Sequence, residues 1–141
     1  MNTRTFVKWH DRYGVGNLDL DNDHKAIISI INDLYTAIQM KTDRSEIRRI
    51  LDRLLEYILS HFEREERLME EARFPESERH RHLHRCLARK TQELRDRSLQ
   101  NEEGISQEAM SFLKDWWIDH IIVMDMRYKP YIEGTKVPGR A

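Results

Sequence analysis

Five histidines and two carboxylates recur along the chain in an order that constrains what it can fold into: His24, His61 with Glu65, His80 with His84, and His120 with Asp125. The His61/Glu65 and His80/His84 pairs are each four residues apart, so on a helix each pair projects from one face and can close on a shared ion. Any one of these histidines alone would read as a surface or hydrogen-bonded core residue. Four ligand-bearing stretches together are how a helical bundle builds a metal centre in its core.

The rest of the sequence supplies the helices. Only five glycines and three prolines interrupt 141 residues that are 35% charged and 39% hydrophobic, a composition that favours long amphipathic helices. Residues 1–18 read as an irregular arm, broken by Gly14 and Gly16 and anchored by Phe6, Trp9 and Tyr13. Asp19 or Asp21 can cap a first helix reaching Met40, with Ile27, Ile31, Leu34 and Ile38 at helical spacing. Asp43 or Ser45 can cap a second, carrying Ile50, Leu51, Leu54, Ile58 and Phe62 on its inward face and ending at Phe74-Pro75. A third spans Glu76 to Leu99, and a fourth follows Gly104 with Phe112, Leu113, Trp116, Trp117 and Met124. The tail from Pro130 reads as irregular.

Four such helices joined by short turns predict an all-α, antiparallel up-down-up-down four-helix bundle. The expected organisation is one domain over 1–141, with an arm (1–18), a bundle (19–128) and a tail (129–141). Connectivity then sets ligand depth. His24 starts the first helix, His61/Glu65 end the second, His80/His84 start the third and His120/Asp125 end the fourth, which puts all seven groups at one end of the bundle.

Five imidazoles and two carboxylates are too many for one zinc. Two ions suit the count, with carboxylates bridging and imidazoles capping, and mixed nitrogen and oxygen ligation favours iron or manganese over calcium. One spacing resists this reading. On an α-helix the five residues from His120 to Asp125 turn about 500°, leaving the two roughly 140° apart.

Other classes fit poorly. With 24 basic and 25 acidic residues the net charge is -1, which gives nucleic acid or acidic lipid nothing to attract in bulk. The Arg/His-rich stretch from Arg79 to Arg85 spends alternate residues inward as ligands. No apolar run approaches the roughly 20 residues of a membrane helix and no targeting segment is apparent, so a cytoplasmic protein without membrane insertion is expected. Cys86 has no partner for a disulfide and reads as a passive thiol, His82 and His10 lie outside the ligand pattern, and the glutamates around Glu65, Glu66 included, read as a solvated face.

Asp19-x-Asp21-x-Asp23-His24-Lys25, His61-Phe62-x-x-Glu65-Glu66-x-x-Met69, Phe74-Pro75-x4-His80-x3-His84 and Trp116-x3-His120-Ile121-x3-Asp125 resemble the hemerythrins, especially the bacterial single-domain forms. The resemblance includes Trp9 and Tyr13-Gly14-Val15-Gly16 and so covers nearly the whole chain. It implies reversible O2 binding at a non-haem di-iron centre, for oxygen carriage, storage or delivery. By this resemblance His80, His84 and His120 hold one iron, His24 and His61 the other, and Glu65 and Asp125 bridge them with an oxo or hydroxo group. Trp117, Trp116, Phe62 and Ile27 would line the ligand pocket. No catalytic residue is expected, and the partners implied are O2 and an oxygen-using enzyme, with the protein a monomer.

The alternatives are a di-iron enzyme, oxidising substrate or reducing peroxide or nitric oxide, and a sensor acting through a separate partner. Ferritin-like oxidases use Glu-x-x-His motifs, and this chain has none. Two departures stand out from the family pattern. Trp117 stands where bacterial members often carry leucine, and its bulk is expected to narrow the pocket. Asp23 stands where glutamine is common, with no consequence evident from sequence.

Overall fold

The computed structural model describes residues 8–41, 43–98, 105–118 and 124–132. Its four main helical segments are α1 (Leu18–Gln39), α2 (Arg44–Glu71), α3 (Ser77–Ser98) and α4 (Ile105–Phe112), and a short α5 (Lys129–Ile132) follows near the end of the chain. No strand occurs among the described residues. α1 packs on α2, α2 on α3 and α3 on α4, the neighbour order that short turns impose on an antiparallel bundle.

Local chemistry sets the helix ends. Asn17, rather than Asp19 or Asp21, caps α1 by accepting from the Leu20 N–H at 3.1 Å. Asp21 is used differently: its Oδ1 accepts the Val15 N–H at 2.8 Å and so docks the arm on the first turn of the helix. The chain approaches closely there, since a Cβ on Gly14 would lie 3.2 Å from Asp21 Oδ2 and 3.1 Å from Asp11 O. Asp43 caps α2 by accepting from Ser45 N–H at 2.8 Å. α2 stops two residues short of Arg73, which takes a left-handed conformation (φ 56°) while Phe74 N–H bonds back to Met69 O at 3.0 Å; Pro75 then prevents continuation.

The fourth helix is not uniformly α. After Phe112 the backbone passes into a π-helical turn, Leu113–Ile118, and Asp125–Arg127 forms a 3₁₀ turn. The start of the tail is helical where an irregular segment was expected: Pro130 sits within α5, whose Ile132 is fully buried.

Two apolar clusters result. The larger fills the bundle with residues including Ile27, Ile31, Leu54, Ile58, Phe62 and Leu87. The smaller gathers Val15, Leu20, Met69, Phe74, Tyr128 and Ile132 at the other end. Along α1, His24 lies between Leu20 of one cluster and Ile27 of the other, and along α2 Glu65 lies between Met69 and Phe62 in the same way. The polar groups therefore form one layer closed on both sides by hydrocarbon. Replacing Leu54, which is fully buried, with alanine should destabilise the metal-free protein by about 2–5 kcal/mol. Leu59→Ala on the same helix, half exposed at 51%, should stay within about 0.5 kcal/mol; denaturant midpoints of the two variants check the contrast.

Candidate metal centre

Six of the seven sequence-derived ligand residues meet in that layer: His24, His61, Glu65, His80, His84 and Asp125 are all buried. Their arrival from the start of α1, the end of α2, the start of α3 and the segment after α4 is direct evidence of antiparallel alternation. His120 lies outside the described residues. Trp116 and Trp117 fall on the π-helical turn, and their side chains lie outside what is described.

The ligand atoms divide into two groups, each within a 4.8 Å span: His24, His61, Glu65 and Asp125, and His80, His84, Glu65 and Asp125. The carboxylates are shared oxygen by oxygen. Glu65 Oε2 lies 2.9 Å from His61 Nε2 and 3.5 Å from His24 Nε2, while its Oε1 lies 2.9 Å from both His80 Nε2 and His84 Nε2. Asp125 repeats the pattern, Oδ2 at 3.0 Å from His24 Nε2 and Oδ1 at 3.0 Å from His80 Nε2. All four described imidazoles thus aim Nε2 at two carboxylates that each face both ways. This donor set fits a pair of cations bridged by Glu65 and Asp125. His24 adds to the fit: it is fully buried and its Nε2 points at an oxygen of each carboxylate, 3.0 Å from Asp125 Oδ2 and 3.5 Å from Glu65 Oε2.

Residues 16–132 match the family profile described as "Hemerythrin HHE cation binding domain". The chain belongs to the hemerythrin family. It is 33% identical over 126 residues to the bacteriohemerythrin of Stenotrophomonas maltophilia, covering 89% of this chain and 81% of that one. It is 36% identical over 120 residues to the bacteriohemerythrin of Pseudomonas aeruginosa, covering 85% and 77%. Among solved structures, wild-type hemerythrin superposes with a TM-score of 0.81 at 27% identity, covering 92% of this chain and 99% of that one.

Around this hemerythrin centre stand residues that sequence reasoning passed over. Asp23 is buried, and its Oδ2 lies 3.0 Å from His61 Nδ1. Glu66, expected on a solvated face, is half-buried and lies 2.7 Å from His84 Nδ1; the turn of α2 carries it round the edge of the layer to α3. Tyr128 is fully buried and donates its hydroxyl to Glu65 Oε2 at 2.8 Å. Its only sequence signal was a position three beyond Asp125. Phe62 stacks on the His84 ring, centroids 3.7 Å apart and planes 7° apart, and Ile27 is fully buried in the adjoining apolar cluster. His82 is exposed, with its Nε2 3.8 Å from Cys86 Sγ.

The electrostatics follow from burial opposed by pairing. Burial alone would push the Glu65 carboxyl up, but His61, His24 and His80 hold it well below the carboxylate range. Burial likewise disfavours charged imidazoles, yet Asp125 and Glu65 raise His24 from 6.5 to about 10 and His80 to about 10. His84 is raised by Glu65 and Glu66 against burial. For Tyr128, burial and the negative Asp125 and Glu65 all push upward, so the phenol stays protonated. In the metal-free protein, protons on imidazoles balance the carboxylates.

Two consequences are measurable. A histidine whose folded pKa exceeds its unfolded value stabilises the fold fully below the unfolded value, and that contribution is lost as pH rises through the folded one. The metal-free protein should therefore lose stability between about pH 6.5 and about 10, which denaturant titrations at fixed ionic strength would reveal. Metal binding needs neutral imidazoles, so loading a divalent cation at pH 7 should release protons from His24 and His80, read by an indicator dye in weak buffer.

Proposed function

We infer that this chain binds O2 reversibly at a pair of iron ions, with His24 and His61 on one, His80, His84 and His120 on the other, and Glu65 and Asp125 between them. The observation that carries this reading is the division of both carboxylates, oxygen by oxygen, between two groups of imidazoles. Bound iron would supply the reversible redox chemistry that O2 uptake and release require. The whole chain then acts as one hemerythrin domain, with Val15 from the arm and Ile132 from the start of the tail packed in the smaller cluster beside the ligand layer.

The chain's own residues favour binding over turnover. Apolar clusters on both sides of the polar layer limit water and proton donors. Ile27 and Phe62 lie on the larger cluster's side of the layer, and the stacked Phe62 restricts rotation of His84. Tyr128, with its proton held firmly, fixes Glu65 Oε2. Carriage, storage or delivery of oxygen to an oxygen-using enzyme is the role this supports, and a monomer in the cytoplasm is the setting proposed for it. No helix among the described residues is long and apolar enough to cross a membrane.

Reducing the iron-loaded protein without oxygen, admitting O2 and following the visible charge-transfer band through repeated deoxygenation tests the function. Full recovery is expected over successive cycles. Loss after one cycle, or turnover that depends on an added substrate, would identify a di-iron enzyme instead. In the same assay Trp117→Leu should speed O2 association by widening the pocket, and rates equal to the parent's would remove Trp117 from it.

A further inference from the structure

Asp23 adjoins His24 in sequence but turns to a different task. While His24 faces the polar layer, the Asp23 carboxylate reaches α2 and meets three residues there: Tyr57 Oη at 3.0 Å, His61 Nδ1 at 3.0 Å, and Arg64 through Nε at 2.9 Å and Nη2 at 2.8 Å. Tyr57, His61 and Arg64 are spaced by four and then three residues, so they form one stripe on α2. Arg64 is itself held, donating Nη1–H to Ser60 Oγ at 2.7 Å. Both Asp23 oxygens are thus occupied twice, with the residue only 7% exposed.

His84 and His24 are backed differently. His84 Nδ1 meets Glu66, a carboxylate whose side chain is 28% exposed and whose nearest cation, Arg81 Nε, is 3.7 Å away. His24 Nδ1 has no hydrogen bond among the described residues. A carboxylate on the far nitrogen of an imidazole fixes its tautomer and ring direction and makes it a stronger donor to a metal. A charged partner does this better than a neutral amide, because hydrogen bonds with an ionised acceptor are roughly twice as strong.

We propose that Asp23, clamped by Arg64 and Tyr57, is a positioning residue that locks His61 with its proton on Nδ1 and Nε2 toward the metal, so that it strengthens the hold on the ion His61 would bind and leaves the other ion untouched. Resting on the two-metal reading above, this makes α1 contribute twice to the same ion, directly through His24 and indirectly through His61. The extra electron density on His61 would favour the more oxidised state of that ion.

The decisive comparison is the full chain against Asp23→Asn, which keeps size and an acceptor oxygen but deletes the charge, with Asp23→Glu as the conservative rescue and Glu66→Gln as the control on the opposite group. Cobalt(II) serves first as probe, because its binding depends on neither iron redox chemistry nor O2. The parent should hold two cobalt ions, and Asp23→Asn should surrender one of them to a chelator about 10- to 100-fold faster while the second leaves at the parental rate. Asp23→Glu should restore part of the difference, and Glu66→Gln should affect the other ion. With iron loaded, Asp23→Asn should raise one of the two reduction potentials and leave the second near its parental value. Parental release rates and potentials in Asp23→Asn, or equal acceleration of both ions, would overturn the proposal. If Asp23→Asn does not fold, as judged by circular dichroism, Arg64→Gln carries the same test, expected in the same direction and smaller, and parental behaviour there overturns the proposal equally. A parent that binds two cobalt ions but no O2 when loaded with iron would defeat the function proposed above and leave the role of Asp23 to be decided by the cobalt measurement.

Discussion

The architecture depends on a buried carboxylate that has to face two ways. Glu65 sits without exposure between imidazoles from three helices, one oxygen toward His24 and His61 and the other toward His80 and His84. Placing an ion there without partners would be prohibitive, so the helices must arrive in one depth and rotation. That requirement explains why α1, α2 and α3 each carry a histidine in this layer.

Apolar packing and the polar layer support each other. The larger cluster below and the smaller one above exclude water, which strengthens every interaction inside and raises the penalty for any polar atom left unmatched. Contacts at the rim relieve that penalty: Tyr128 on Glu65, Glu66 on His84 and Asp23 on His61. Metal-free, the layer is held by imidazolium protons between the carboxylates, in the places where cations would stand. The same acids and bases can therefore order the fold before metal arrives and bind it afterward.

Membership of the hemerythrin family constrains the chemistry, and the details of this chain individualise it. Its Asp23–Arg64 ion pair ties α1 to α2 beside one group of imidazoles only. Behind His61 stands the buried, Arg64-clamped Asp23, and behind His84 the half-buried Glu66.

By itself the sequence determined the helices, their antiparallel order and the level at which the ligand residues meet. Hydrophobic period, capping residues and turn length are local properties, and depth in an up-down bundle follows from position along each helix. Leu20, His24 and Ile27 could be read as apolar, ligand, apolar without knowing any neighbour. Only the tertiary structure decided what lies behind the ligands. Asp23 looked inert in sequence and Glu66 looked solvated, because whether a side chain one position from a ligand meets an imidazole or water depends on the rotation of the adjoining helix. Asn17 took the cap from Asp19 and Asp21, and a π-helical turn replaced regular α-helix after Phe112. These outcomes are settled by competition among contacts from several helices, which no stretch of chain encodes alone.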